Sequence, residues 1–145
     1  MRFLDSNVLL YAISGDPKEA HKAAIAAGIL QSSDLALSVQ VLQEFYVQAT
    51  RATRPNRLPH EKARAFIEGW LRFPVQEVSV EILRAALESS QRFQVSYWDA
   101  AIIESARTLG CKEVLSEDLN AGQRYGGVRV VNPFSTKRAK RNENS

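Results

Sequence analysis

Short apolar runs alternate with longer amphipathic stretches along the whole chain. Arg2–Leu4 reads as a first strand, and Val8–Ile13 as a short helix ended by Ser14-Gly15-Asp16-Pro17. From Pro17 to about Leu30 an Ala-rich stretch with proline in its first turn predicts a helix. Leu35–Leu37 is a short strand, and Ser38 is placed to cap a helix running to about Thr50. Arg51–Leu58, with Pro55-Asn56 inside it, reads as a loop. Helices follow over Pro59–Phe73, Val80–Phe93 and Tyr97–Leu109, the last closed by Gly110. Strands follow at Val75–Val78, Val114–Leu115 and Val128–Val131. Strands separated by helices predict an α/β fold with a central parallel sheet flanked by helices on both faces. Such sheets take their ligands at the carboxyl ends of the strands.

Composition narrows the setting. The 145 residues suit one domain, expected over residues 1–134, with a basic, disordered tail over 135–145. An apolar fraction of 45% and a charged fraction of 24% are those of an ordinary globular protein. Cys111 is the single cysteine, so no internal disulfide forms and a reducing compartment is expected. No apolar run approaches the ~18–20 residues of a membrane span, and MRFLDSN carries no signal-peptide pattern, so the expected location is cytoplasmic. The net charge of +3 is modest but clustered. Lys137, Arg138, Lys140 and Arg141 crowd the tail, and Arg51, Arg54, Arg57, Lys62 and Arg64 follow mid-chain. Both groups suit a polyanion such as nucleic acid, or equally a solvated tail and a charged loop.

The predicted strand ends carry acids. Asp5 ends the first strand in Phe3-Leu4-Asp5-Ser6-Asn7, and Asp118 follows a late strand in Val114-Leu115-Ser116-Glu117-Asp118. Glu44 and Asp99 sit in the first turns of helices whose preceding segments lead to the same rim. Four acids far apart in sequence are thus expected to meet. Each also has a structural explanation. Asp5 fits a helix cap, Asp118 an Asx-turn and Asp99 the Ser-x-x-Asp spacing of a capping box. Glu44 lies at the margin of the stripe of Val41, Leu42, Phe45 and Ala49, where it could simply face water.

Convergence would demand a counter-charge. Two carboxylates about 5 Å apart repel by roughly 3 kcal/mol at an effective dielectric of about 20. All-oxygen ligands without histidine or cysteine select Mg2+ or Mn2+ over Zn2+. Such an ion activates water and stabilises charge on a displaced oxygen, chemistry suited to phosphodiester hydrolysis. Asn7 and Ser116 flank the two strand-end acids and could orient a carboxylate or a bound water, or could merely form turns. Glu117 is left out, because neighbouring strand residues point to opposite faces. His21 and His60 lack partners at ligand spacing and are expected at the surface, whereas Trp70 and Trp98 are expected in the core. Cys111 has no activating base nearby in sequence, and Gly122, Gly126 and Gly127 do not form a phosphate loop.

MRFLDSNVLLYA, the Ser38–Phe45 segment with Glu44, Tyr97-Trp98-Asp99-Ala100-Ala101-Ile102-Ile103 and Leu115-Ser116-Glu117-Asp118-Leu119 resemble a PIN domain over roughly residues 1–134. The ending Val130-Val131-Asn132-Pro133-Phe134 is similar to the last strand of VapC-type toxins. The resemblance implies a PIN-like three-layer fold, commonly dimeric, and a Mg2+- or Mn2+-dependent endoribonuclease acting on structured RNA. It implies the acidic quartet Asp5, Glu44, Asp99 and Asp118, with Asp5, Asp99 and Asp118 as direct ligands and Glu44 completing the shell or orienting water. A VapB-like antitoxin is the implied partner, and Arg51, Arg54 and Arg57 the expected RNA-backbone contacts. One alternative is a haloacid-dehalogenase-like phosphatase, which needs a second Asp where Asn7 stands. Another is a receiver-like domain, which needs a lysine after the late strand, whereas Lys112 precedes it. A PIN nuclease of RNA maturation is the third.

Overall fold

The computed structural model describes residues 1–135; the basic tail expected from 135 onward lies, but for Ser135, outside the described residues. Six strands form one sheet: β1 (Arg2–Leu4), β2 (Leu35–Ser38), β3 (Val75–Gln76), β4 (Glu113–Leu115), β5 (Arg124–Tyr125) and β6 (Val128–Val131). Their spatial order is β3-β2-β1-β4-β6-β5. Six helices connect them: α1 (Ser6–Ala12), α2 (Ala20–Leu30), α3 (Val39–Thr50), α4 (His60–Trp70), α5 (Val80–Phe93) and α6 (Tyr97–Thr108). The chain steps outward from β1 to β2 and β3, then returns to β4 on the other side of β1. Crossovers between parallel strands are right-handed, so opposite stepping directions put the helices on opposite faces. Packing follows that rule: α1 lies against α2 and α3, and α3 against α4, while α5 and α6 form a separate pair.

Serine caps set where the helices start. Ser38, Ser79 and Ser96 accept from the backbone N–H of Val41, Ile82 and Asp99 at 3.1–3.2 Å, opening α3, α5 and α6. The main core joins Phe3, Leu4, Val8 and Leu9 to Leu35, Leu37, Phe45 and Val114. Within it the Phe45 ring meets the Trp70 ring edge-on at 4.7 Å. A smaller cluster of Ile82, Ala86, Ala100 and Ala101 lets α5 and α6 approach closely.

Several elements differ from the sequence pattern, each for a local reason. The helix expected from Pro17 divides into a 3-10 turn over Pro17–Glu19, capped by the Asp16 side chain on the Lys18 N–H, and α2 proper. The helix expected to Phe73 ends at Trp70, because Pro74 disfavours helical backbone just before it. The strand expected to Val78 stops at Gln76, ahead of the Ser79 cap. The sheet is not wholly parallel: Gly126 and Gly127, at φ 57° and 93°, form a two-residue turn that pairs β5 antiparallel to β6. Arg124–Tyr125 is too short a run for alternation to reveal. Trp70 is core at 5% exposure, as expected, but Trp98 is not: it stands 63% exposed. A helix leading into a parallel strand starts at the carboxyl rim of the sheet, so the first turn of α6 lies beyond the cover of the core.

The hairpin turn makes a stability prediction. A Cβ on Gly126 would stand 3.2 Å from the Arg107 guanidinium, which hydrogen-bonds the Gly126 and Tyr125 carbonyls. Gly126→Ala is expected to lower the unfolding free energy by about 1–2 kcal/mol, read by urea denaturation, because the position is also left-handed.

Candidate active site

β1 and β4 are neighbours from which the chain departs in opposite directions, the switch point of an open α/β sheet. Asp5 directly follows β1, and its backbone N–H donates to the Leu115 carbonyl at 3.0 Å, extending the β1–β4 pairing to the rim. Ser116 follows β4 and is fully buried, and Asp5 is 6% exposed. Two strand ends therefore hold a carboxylate and a hydroxyl against each other by backbone register alone.

Around them lies a closed set of hydrogen bonds. The Ser116 hydroxyl donates to Asp5 Oδ2 at 2.7 Å. Asn7 Nδ2 reaches Asp118 Oδ2 at 3.2 Å, Ser116 Oγ at 3.3 Å and Asp5 Oδ2 at 3.5 Å. Asn7 Oδ1 accepts from the Glu117 N–H at 3.2 Å. The Asp118 and Leu119 N–H groups donate to Ser116 Oγ, both at 3.2 Å, fixing the turn that presents Asp118. Asp5 is also a helix cap, Oδ1 accepting from the Ser6 N–H at 2.7 Å, so its structural role and its place in the acid cluster coexist.

Glu44 joins from α3. It accepts from the Ser6 hydroxyl at 3.1 Å and from Gln40 Nε2 at 3.1 Å. It is half-buried rather than facing water freely. Burial pushes the Asp5 carboxyl up to about 6 from its usual 3.8; the charges of Glu44 and Asp118 add to this, while the bonds from Ser116 and Ser6 oppose it. Three of the four expected acids are thus within electrostatic reach of one another. Asp99 stands on the same rim, one residue from the Trp98 carbonyl that Gln40 Nε2 also holds at 3.2 Å. After burial itself, the Asp99 charge is what raises the Tyr125 phenol above its ordinary range.

Among the described residues no three His, Cys, Asp or Glu side chains form a group that could enclose a cation by themselves. Asp5 and Asp118, joined through Asn7, are the kind of carboxylate pair through which a hydrated divalent cation can bind. The ligand atoms on offer are all hard oxygens, and Asp5, whose carboxyl burial raises to about 6, is joined to Asp118 by the Asn7 amide.

Two contributors, Ser6 and Gln40, are not among the expected site residues. Ser6 and Gln40 hold Glu44; the signals were adjacency to Asp5 and an i, i+4 spacing on α3. Glu117, left out of the expected acid set, joins a clamp. Lys22 Nζ and the Tyr11 hydroxyl both donate to it at 2.6 Å, tying α1 and α2 to the turn before Asp118. Burial pushes Glu117 up, but those two donors outweigh it and hold the carboxyl below its usual range. No spacing rule links residues 11, 22 and 117. Of the expected RNA contacts, Arg51 and Arg57 are exposed. Arg54 is half-buried and lines a cavity of about 210 Å³ with Asp16 and Glu19. Arg51 lies roughly 10 Å along the α3 axis from Glu44.

Fold and site together define an α/β protein with an acidic crevice at its topological switch point. The chain belongs to the PIN domain family, whose model matches residues 2–126. No curated protein matches it in sequence. Solved structures match in fold. One is the Mycobacterium tuberculosis toxin VapC20, described as cleaving the sarcin–ricin loop: 21% identity, TM-score 0.62, covering 81% of this chain and 92% of that one. A second is a toxin–antitoxin complex from Klebsiella pneumoniae: 18% identity, TM-score 0.68, covering 92% and 98%. A third is DNA-bound VapBC from Salmonella typhimurium: 21% identity, TM-score 0.64, covering 91% and 97%. No helix among the described residues is long and apolar enough to cross a membrane.

The raised Asp5 value makes a signed prediction. Because the folded carboxyl holds its proton more tightly than the unfolded one, it contributes stability below about pH 4 that is lost as pH rises through about 6. The loss corresponds to about 3 kcal/mol at about 1.4 kcal/mol per pKa unit. In chelator-treated protein, Asp5→Asn is expected to flatten the fall in stability between pH 4 and 7. Parallel profiles for the two proteins in urea titrations would contradict the assignment.

Proposed function

We propose that this protein is a Mg2+-dependent endoribonuclease (Mn2+ substituting) and the toxin of a type II toxin–antitoxin pair. The observation that carries the reading is the facing pair Asp5 and Asp118 at the switch point, bridged by Asn7 and Ser116. PIN family membership supports it. So do the fold relatives, described as a toxin cleaving the sarcin–ricin loop and as VapBC or FitAB assemblies. The partner is accordingly a VapB-like antitoxin, the substrate a structured RNA, the assembly a homodimer and the setting the cytoplasm. The domain boundary is residues 1–134.

Asp5 and Asp118 would hold the ion, with Asp99 as the third expected ligand and Glu44 completing the shell or orienting water. The ion supplies an activated water and charge stabilisation at the departing oxygen. The chain's own residues do the positioning. Asn7 and Ser116 orient the two strand-end carboxylates. Ser6 and Gln40 hold Glu44 where it can orient water and accept its proton. Exposed Arg51 and Arg57 engage the phosphate backbone through salt-sensitive contacts, with Arg54 beside them.

Total RNA incubated with the protein is expected to be cut at discrete sites with Mg2+ and spared with EDTA. Asp5→Asn and Asp118→Asn are expected to abolish cutting, and Asn7→Ala to slow it about 10- to 100-fold. Mapped RNA ends read the outcome; undiminished cutting by folded Asp5→Asn protein would refute the site. A toxin further predicts that growth arrest on induction is relieved by the product of an adjacent antitoxin gene.

A further inference from the structure

We propose that Trp98 is the base-stacking platform of this site, taking an unpaired RNA base beside the scissile phosphodiester. The proposal rests on the nuclease reading and deepens it by naming the substrate element: a nucleotide already splayed out of a duplex. The indole is 63% exposed, whereas the second tryptophan, Trp70, is buried at 5%. Tyr97 braces the ring edge-on at 5.0 Å and an interplanar angle of 76°, which does not stack a protein ring on it. Its backbone is pinned to the acid cluster. The Trp98 carbonyl accepts from Gln40 Nε2 at 3.2 Å, and the same Nε2 donates to Glu44 Oε1 at 3.1 Å. Asp99 is the next residue. The backbone that carries the exposed ring is therefore tied to Glu44 through Gln40 and lies in the first turn of α6 rather than on a loop.

Every base has a π-face, but a duplex hides it, so proteins recognise RNA through stacking mainly where bases are unpaired. The surroundings favour a base over an apolar protein partner. The residues next to it are polar: exposed Ser96 and half-buried Asp99 lie in the same first turn, and half-buried Gln40 holds the Trp98 carbonyl, suiting a flat heteroaromatic group with polar edges. Stacking orients the neighbouring phosphate for attack, and a flipped-out base separates such RNA from uniform helix.

The test begins with cleavage sites mapped in total RNA, followed by synthetic oligoribonucleotides spanning one of them. Trp98→Ala is expected to raise KM and lower kcat/KM roughly tenfold to a hundredfold, with Trp98→Phe staying within a few-fold of the original. An abasic nucleotide at one position flanking the cut should cause the same loss in the unaltered protein and little further loss in Trp98→Ala. In the Asp5→Asn protein the same oligoribonucleotide should quench tryptophan fluorescence, and Trp98→Phe should remove that quenching. Several results would overturn the inference: equal cleavage by Trp98→Ala, equal impairment of the Ala and Phe proteins, or indifference to every abasic position. Unchanged cleavage with a lost dimer or lost antitoxin binding would assign the ring to a protein interface instead. RNA left intact by the unaltered protein would refute the nuclease reading itself.

Discussion

Asp5 keeps its carboxylate out of water at the junction of two neighbouring strands, and the surrounding groups answer the cost of doing so. A buried carboxylate is tolerated when its oxygens are hydrogen-bonded, when it is protonated, or when a cation sits beside it. Ser6 and Ser116 supply the hydrogen bonds, one from the helix that Asp5 caps and one from the end of β4. They do not restore an ordinary carboxyl, because Glu44 and Asp118 add their charge to the effect of burial. What remains is a standing attraction for a positive charge, held in a fixed frame by Asn7. The folding constraint and the proposed chemistry are two consequences of one arrangement.

The sheet topology makes that arrangement possible. Because β1 lies between strands reached in opposite directions, the turns after β1 and β4 part to opposite sides and leave a crevice. The helix after β1, the helix after β2 and the helix before β4 all begin at that rim. Asp5, Glu44 and Asp99 are delivered there by elements that would form for packing reasons alone. The clamp of Tyr11, Lys22 and Glu117 then holds the turn before Asp118 against α1 and α2.

Much of this was legible in the sequence because it is local. Serine caps, the Gly110 terminator and apolar runs place most helices and strands, and acids at strand ends mark the rim without any view of the fold. What was hidden depends on partners distant in the chain. Glu44 looked ambiguous because the margin of an amphipathic stripe becomes half-buried only when α1 packs against α3. Trp98 looked like core because its helix is core; only the position of the first turn beyond the sheet leaves it uncovered. The Gly126-Gly127 turn was visible as composition, but pairing of so short a strand as β5 is decided by β6. The neighbours of Asp5 that raise its proton affinity come from residues 44 and 118, and no periodicity encodes that meeting.

Paramagnetic broadening of amide resonances by substoichiometric Mn2+ tests most directly whether the strand-end acids share a cation. Selective loss of the signals of Asp5, Asn7, Ser116 and Asp118, reversed by excess Mg2+ and absent in Asp5→Asn, is the result this account predicts. Broadening centred elsewhere on the molecule, or unchanged in Asp5→Asn, would contradict it.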